Sequence, residues 1–526
     1  MDSGSPLTTQ QRRIINDKKC PLRIHGPGGS GKTLVLILKA LGLLSAASTE
    51  GSACKVLMVL HNNDVRNNVR AAIEAIDEGG FLATTKDDKQ FLDVETLHGW
   101  CMRELKIDTG GLDYALHADT IASKRKQDEF LSTVVNNAIQ QRLPKMEGLL
   151  SPDLWSHFTG PREKLIANMR YEIAIRIKGR GMRNEQQLYV DSPLKSFIGR
   201  GENRHDRYFL FKIAEEYEKE LQKAGRLDTD DVVLSMQSRL AAPLWNRQRK
   251  VAGYDFVFVD ETHLFNENER RVLPYLTRGS EEHVPIIMAF DEAQSIGGRR
   301  VSELEDVGIH NSEQRRLSYV HRSSPQIFRL ARDLIERSTL MFSEFSGSES
   351  MARMSDRDLK KCKPPTLTFA HGASGISETA VDMAIQLRAK NYPRIGIIAF
   401  EAKLIDEIAQ KFGEKNKEGQ ILRERGDSLA GKPFPGIFIM TAENCGGLEF
   451  DAVILAGVDK GQVPPSLYNI SPEGHLSVRE EACKELYTAL TRARYHVAFV
   501  CDRSKGASEF VTPWIDSGMV SEKRPI

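Results

Sequence analysis

The stretch Gly26-Pro27-Gly28-Gly29-Ser30-Gly31-Lys32-Thr33 restricts this chain's fold more than any other. It fits G-x-x-x-x-G-K-[ST], which works only where a strand ends, the backbone turns on glycines and a helix begins. Backbone N–H groups at that helix N-terminus then point at phosphate oxygens. The flanks meet the demand. Leu22 to Ile24 is an apolar run that reads as a strand, and Leu34 to Leu44 reads as a helix. In this pattern Lys32 neutralises the terminal phosphates and the Thr33 hydroxyl holds Mg²⁺. The plain alternative is a Gly/Ser turn between a strand and a helix, and the full pattern in its strand–loop–helix setting favours nucleotide binding.

At 526 residues the chain is too long for one core, so two to four domains are expected. A net charge of +1 means that any nucleic-acid contact rests on local basic patches. The seven cysteines (Cys20, Cys54, Cys101, Cys362, Cys445, Cys483, Cys501) lack C-x-x-C spacing and are odd in number. This argues against a disulfide frame or a zinc site and for a reducing compartment. Met1 to Pro6 carry no basic-then-apolar leader, and no apolar run approaches membrane-spanning length. The expectation is a soluble, cytoplasmic, multidomain protein.

Along the chain, Thr8 or Thr9 caps a short helix containing Gln10 and Gln11. Lys55 to Leu60 reads as a buried strand, Val65 to Ile76 as a helix, and Asp93 to Leu97 as a strand closing on Thr96-Leu97-His98-Gly99-Trp100. Such alternation predicts an α/β fold with a parallel sheet and helices on both faces. From about Lys106 to Arg226 the pattern turns to amphipathic helices rich in cations: Arg162, Lys164, Arg170, Arg176, Lys178, Arg180 and Arg183. The ordinary reading of these is solvated helix faces; the functional one is a helical insertion on a nucleic-acid backbone. Strands return at Tyr254 to Val259, ending in Asp260-Glu261, and at Val284 to Phe290, ending in Asp291-Glu292. Carboxylates at strand ends suit Mg²⁺ coordination and activation of water, with helix capping as the alternative. A second alternating region without a phosphate loop starts near Gln314, with a strand predicted over Arg315 to Tyr319. Its further strands are expected at Thr366 to Ala370, Ile395 to Phe400, Ile437 to Thr441, Ala452 to Leu455 and His496 to Cys501.

Taken in order from residue 7 to about 500, these motifs resemble the superfamily 1 helicases of the UvrD/Rep/PcrA type. Leu7-Thr8-Thr9-Gln10-Gln11 is similar to the adenine-reading motif, which implies Gln11 as reader, and Gly26 to Thr33 is similar to motif I. The first DNA-contacting motif falls on Leu60-His61-Asn62-Asn63-Asp64, implying Asn62 and Asn63. Thr96 to Trp100 resembles the strand-end motif on single-stranded DNA, implying Thr96 and His98. Leu227 to Asp231 is similar to the segment that leads back into the first domain. Val259 to His263 looks like motif II, implying Asp260 on Mg²⁺ and Glu261 as base. In the motif III resemblance, Phe290 to Ile296, Gln294 senses the γ-phosphate. His321-Arg322-Ser323 stands where the family has Tyr-Arg-Ser, implying His321 on adenine and Arg322 on the γ-phosphate. Thr441 to Phe450 resembles motif V, with Thr441 at the strand and Glu449 at the ribose, and Leu486 to Ala493 resembles motif VI, with Arg492 as the second arginine finger.

The resemblance implies two RecA-like parallel-sheet domains with ATP and Mg²⁺ between them. The first covers 1–105 and 227–312, a mostly helical accessory insertion covers 106–226, and the second covers 313–526. It implies an ATP-dependent helicase or translocase, 3′ to 5′ on single-stranded DNA. Departures cluster on the strand-gripping residues. His263 replaces Gln, Glu443 and Gly446 replace the His and Lys of motif V, and Gly297-Gly298-Arg299-Arg300 stands where a base-stacking Trp is usual. Only about 120 residues separate Arg322 from Thr441, too few for the large second accessory domain of longer relatives. The alternative is therefore a nucleic-acid-sensing ATPase that regulates a protein partner, such as a nuclease in an anti-phage defence complex.

Overall fold

The computed structural model describes residues 7–83, 88–108, 115–117, 120–160, 162–193, 196, 198, 203–279, 284–291, 304–320, 323–337, 351–352, 356–415, 436–445, 448–466 and 472–523. Two six-stranded sheets organise them, and every pairing within them is parallel. The first contains β1 (Leu22–His25), β2 (Cys54–Leu60), β3 (Gln90–Thr96), β4 (Phe256–Val259), β5 (Ile286–Phe290) and β6 (Glu313–Arg316), in the order β3-β2-β4-β5-β1-β6. Two short strands, β7 (Tyr319–Val320) and β8 (Met351–Ala352), pair with each other. The second sheet contains β9 (Thr366–Ala370), β10 (Arg394–Ala399), β11 (Gly436–Thr441), β12 (Phe450–Ala456), β13 (Ala493–Asp502) and β14 (Ser521–Lys523), in the order β11-β10-β12-β13-β9-β14. Counted from its own first strand, each sheet runs third, second, fourth, fifth, first, sixth. The two halves share one topology.

Strands buried on both faces read as near-continuous apolar runs, and β2 from Val56 and β12 from Ala452 are of this kind. Alternation then splits their side chains between two cores. Val56, Met58 and Leu60 join one cluster, while Leu57 and Val59 join the other across the sheet. In the second sheet Ala452, Ile454 and Ala456 face one cluster, Val453 and Leu455 the other. Between β3 and β4 the chain is helical, with Thr120–Gln141, Arg162–Tyr171 and Arg204–Lys223 gathered around a separate apolar cluster. Arg162–Tyr171 continues directly into a π-helix, Glu172–Lys178, which the sequence pattern did not reveal.

Two expectations are corrected. The strand expected over Arg315 to Tyr319, at the start of the second region, lies instead at Glu313–Arg316 and pairs with β1 as the sixth strand of the first sheet. It is a polar edge strand with half its residues exposed, so it leaves no apolar signal. In addition, the helix Lys32–Thr49 is long and apolar enough by composition to cross a membrane, which the sequence reading did not expect of any segment. Its Val35, Leu36, Ala40 and Leu44 are buried in the core over the first sheet.

Candidate nucleotide site and its surroundings

The loop after β1 has the conformation its glycines allow. Gly29 (φ 82°) and Gly31 (φ 85°) lie in the left-handed region that side chains avoid. The Gly26 N–H donates to Phe290 O at 3.2 Å, tying the loop to the end of β5. A Cβ on Gly26 would lie 2.6 Å from Ser30 Oγ and 3.1 Å from Leu317 O, so the turn has no room for one. The helix begins at Lys32, whose buried ammonium donates to Gly26 O (2.8 Å) and Pro27 O (3.1 Å) and lies 3.9 Å from Asp291 Oδ2.

Thr33 and Asp260 stand 227 positions apart and meet here. Thr33 Oγ1 donates to Asp260 Oδ2 at 2.6 Å. A hydroxyl and a carboxylate side by side at a helix N-terminus form an oxygen donor set of the kind hard divalent cations take. Burial, and then the neighbouring Glu261 charge, push the Asp260 carboxyl up to about 6, against the pull of the Thr33 hydrogen bond and Lys32. The buried charge lacks full compensation, and a cation would supply it. In the folded state the proton is held more tightly than in the unfolded chain, where the carboxyl titrates at 3.8. Stability from this group is therefore present below about 3.8 and lost as pH rises through about 6. Asp260→Asn is expected to stabilise the ligand-free protein at pH 7 by up to about 3 kcal/mol. Urea melts at pH 7 and pH 4 check this: the gain shrinks towards zero at the lower pH, and equal stability at pH 7 would refute it.

Glu261 follows in the left-handed region (φ 47°), an uncommon place for a residue with a side chain. Its N–H donates to Asp260 Oδ1 at 3.0 Å. His263, 1% exposed, accepts the Asp291 N–H on Nδ1 at 3.2 Å and brings Nε2 within 3.4 Å of Glu261 Oε2. Neither His263 nor Asp291 is in the candidate catalytic set; the motif II resemblance ending in His263 and the acid doublet ending β5 are the sequence signals that point here.

Gln11 is buried against the loop. Its Nε2 donates to Ser30 O (3.2 Å), while its Oε1 accepts the Thr8 N–H (2.9 Å) in a capping box that fixes the helix Thr9–Ile15. Gln10, given no role from the sequence, accepts the Ser318 N–H at 3.0 Å. Lys39, on the loop helix, donates to Ile14 O and Ile15 O, each at 3.1 Å, and so clamps the two helices together. Elsewhere, the buried Arg492 donates to Thr488 O (3.1 Å) and Leu448 O (3.4 Å), next to Glu449. Gln294, His321 and Arg322 lie outside the described residues.

The residues expected on nucleic acid have partners of their own. Asn62 Oδ1 caps the helix Asn63–Glu74 by accepting the Val65 N–H at 2.9 Å. Thr96 Oγ1 accepts the Gly99 N–H at 3.0 Å, and His98 Nε2 lies 3.1 Å from His117 O. Asn62, Thr96 and His98 are buried, whereas Asn63 and Thr441 are half-buried. Among the described side chains of the helical segment, Arg170 is ion-paired to Asp128, Lys178 to Glu218, Asp228 and Asp231, Arg180 to Glu267, and Arg183 to Glu218 and Asp231. Those four answer internal carboxylates.

A phosphate-loop helix, acids at the ends of neighbouring parallel strands and a second sheet of the same topology define the class of the P-loop nucleotide hydrolases. Within that class, the chain belongs to the UvrD/REP helicase family. The model of the UvrD/REP helicase N-terminal domain matches residues 7–308, and that of the UvrD-like helicase C-terminal domain matches 405–502. The chain is accordingly an ATP-dependent DNA helicase by family. Among solved structures, the C-terminal domain of a possible DNA helicase from Lactobacillus plantarum WCFS1 is similar over 38% of this chain and 98% of its own, at 14% identity and a TM-score of 0.27. No curated protein matches the sequence.

Proposed function

We propose that the protein couples ATP hydrolysis to movement on single-stranded DNA, 3′ to 5′, with ATP held on Gly26, Pro27, Gly28, Gly29, Ser30, Gly31, Lys32 and Thr33. The contact between Thr33 and Asp260, beside a buried Lys32, carries this reading. In it, Thr33 and Asp260 hold Mg²⁺, which supplies neutralisation of phosphate charge. Lys32 binds the terminal phosphates, and Glu261 takes the proton of the attacking water. Gln11 and His321 bind the adenine, and Glu449 the ribose. Gln294, Arg322 and Arg492 answer the γ-phosphate, so that closure of the second sheet's half onto the first completes the site.

A second reading has its own support. Asn62, Thr96 and His98 are engaged in capping and backbone contacts, and the usual base-stacking Trp is replaced. A nucleic-acid-sensing ATPase that regulates a partner such as a nuclease would need less grip than a motor. Steady-state ATPase with no nucleic acid, single-stranded DNA, duplex DNA and RNA separates the two. The motor reading expects stimulation of about tenfold or more by single-stranded DNA, and displacement of a duplex strand from a 3′-tailed but not a 5′-tailed substrate. A rate that is flat across all four conditions would reject the motor in favour of the sensor.

A further inference from the structure

We infer that Gln10 is a positioning residue for ATP hydrolysis: it fastens the start of the crossover between the two sheets to the helix that carries Gln11, and acts through Arg322. This rests on the reading of Gln11 at the adenine and Arg322 at the γ-phosphate. Glu313 and Leu317 donate their N–H groups towards β1, to Pro21 O at 2.9 Å and His25 O at 2.8 Å. Strands repeat every two residues, and β6 is the edge of its sheet. The Ser318 N–H therefore falls on the side where no strand receives it among the described residues. Gln10 receives it instead, at 3.0 Å. A backbone N–H can only donate, so the amide atom that meets it is the carbonyl Oε1. Nε2 is left towards Ser318 Oγ, a longer and weaker contact at 3.4 Å.

The support under Gln10 is fixed. The helix Thr9–Ile15 is closed at its start by the Thr8–Gln11 capping box and clamped to the loop helix by Lys39. Beside Gln10, Gln11 Nε2 donates to Ser30 O in the phosphate loop. Two consecutive side chains thus hold the loop and the start of the crossover. Leu317 lies against the loop as well, its carbonyl 3.1 Å from where a Cβ on Gly26 would stand. At the far end, the Ser324 N–H donates to Arg494 O at 2.8 Å. Ser324 Oγ then accepts the Ile327 N–H at 3.2 Å and caps the helix Pro325–Glu336. Only Tyr319 to Ser323 lie between these anchors, and Arg322 is one of them. A tether this short passes a shift at Ser318 on to Arg322, and small misplacements of a group that stabilises the transition state are costly in rate.

The test compares Gln10→Leu and Gln10→Glu in the full-length protein, with Arg322→Ala and the Gln10→Leu/Arg322→Ala double variant in parallel. Leucine keeps the bulk and removes the acceptor; glutamate keeps an acceptor oxygen at the same reach. Readouts are kcat for ATP, affinity for a fluorescent non-hydrolysable ATP analogue, and thermal melting. Gln10→Leu is expected to lower kcat by about 5–30-fold. Analogue affinity is expected to fall by no more than about threefold, because Gln11 and the loop keep their own bonds. Gln10→Glu is expected to stay within about threefold of the wild-type kcat. In the Arg322→Ala background, Gln10→Leu should lower kcat by less than about twofold further, since nothing is left for it to position. A glutamine with only a structural role would lower melting and affinity, and its effect on kcat would multiply with that of Arg322→Ala. The inference is overturned if folded Gln10→Leu turns over at the wild-type rate, or if the two effects multiply. It is equally overturned if Gln10→Glu folds and binds the analogue normally yet loses more than about tenfold in kcat. This last arm stands even where the leucine variant fails to fold. Should Arg322→Ala itself hydrolyse at the wild-type rate, the assignment of Arg322 fails instead, a separate result.

Discussion

Lys32→Ala is expected to lower kcat for ATP hydrolysis by about 10²–10³-fold and to weaken ATP binding as well. In the free protein the ammonium is buried and held by Gly26 O and Pro27 O, two carbonyls of the loop it serves. These neutral acceptors are exchanged for phosphate oxygens when a nucleotide enters, a gain in charge-assisted bonding. Asp260, Glu261 and Asp291 surround the same site. Alanine leaves a polyphosphate facing this acidic set with one fewer cation, so binding and turnover both fall. Isothermal titration with a non-hydrolysable ATP analogue and steady-state ATPase would measure the two effects. A Lys32→Ala protein with wild-type kcat/KM would remove the loop from the mechanism.

What the sequence made legible follows from how locally each feature is encoded. The phosphate loop was readable because its requirements are met within eight consecutive residues: glycines where φ is positive, a lysine, and a hydroxyl at the helix start. Parallel strands such as β2, β5 and β12 were readable because burial on both faces leaves them almost wholly apolar. By the same logic β6 was misplaced and β14 missed. Each pairs along one side only, at a sheet edge, and keeps polar or exposed residues. In the site, the strand-end acids pointed to Asp260, but not to the hydrogen bond from the Asp291 N–H to His263 Nδ1, because that contact joins the ends of two strands. Asn62 and Thr96 show the converse. Their side chains could cap helices or contact phosphates, and only the three-dimensional arrangement shows the capping bonds they make.

The largest stability effect is expected at Lys178, the end of the π-helix. Its ammonium lies 2.6 Å from Asp228 Oδ2, 2.7 Å from Glu218 Oε1 and 3.0 Å from Asp231 Oδ1, and is 99% withdrawn from solvent at the side chain. Glu218, Asp228 and Asp231 converge as carboxylates do around a metal ion, with the lysine at their centre. Tyr217 Oη and Gln127 Nε2 also donate to Asp228, so three helical segments meet at one carboxylate. Burial alone would raise the Asp228 carboxyl, but Lys178, the Asp231 N–H and the Tyr217 hydroxyl together hold it below the usual range. Burial and Asp228 together push Asp231 up to about 6 despite Lys178 and Arg183. Between them, Asp230 accepts Asn266 Nδ2 at 2.9 Å and Asn268 Nδ2 at 3.2 Å, reaching the helix that follows Asp260-Glu261. Lys178→Met keeps much of the volume and removes the charge. It is expected to cost about 3–5 kcal/mol at pH 7, because buried carboxylates are left without their cation. The sign of the pH dependence is set by the acids. Asp228 is held below its unfolded value, so its contribution is present above 3.8 and lost as pH falls through its folded pKa. In the variant that advantage is gone and the carboxyls take up protons more readily, so the deficit against wild type narrows as pH falls from 7 towards 5. Urea unfolding at both pH values measures this, and Asp228→Asn combined with Lys178→Met should cost less than the two changes added separately. A penalty below about 1 kcal/mol at pH 7 would mean that the neighbouring Arg183 suffices to neutralise the cluster.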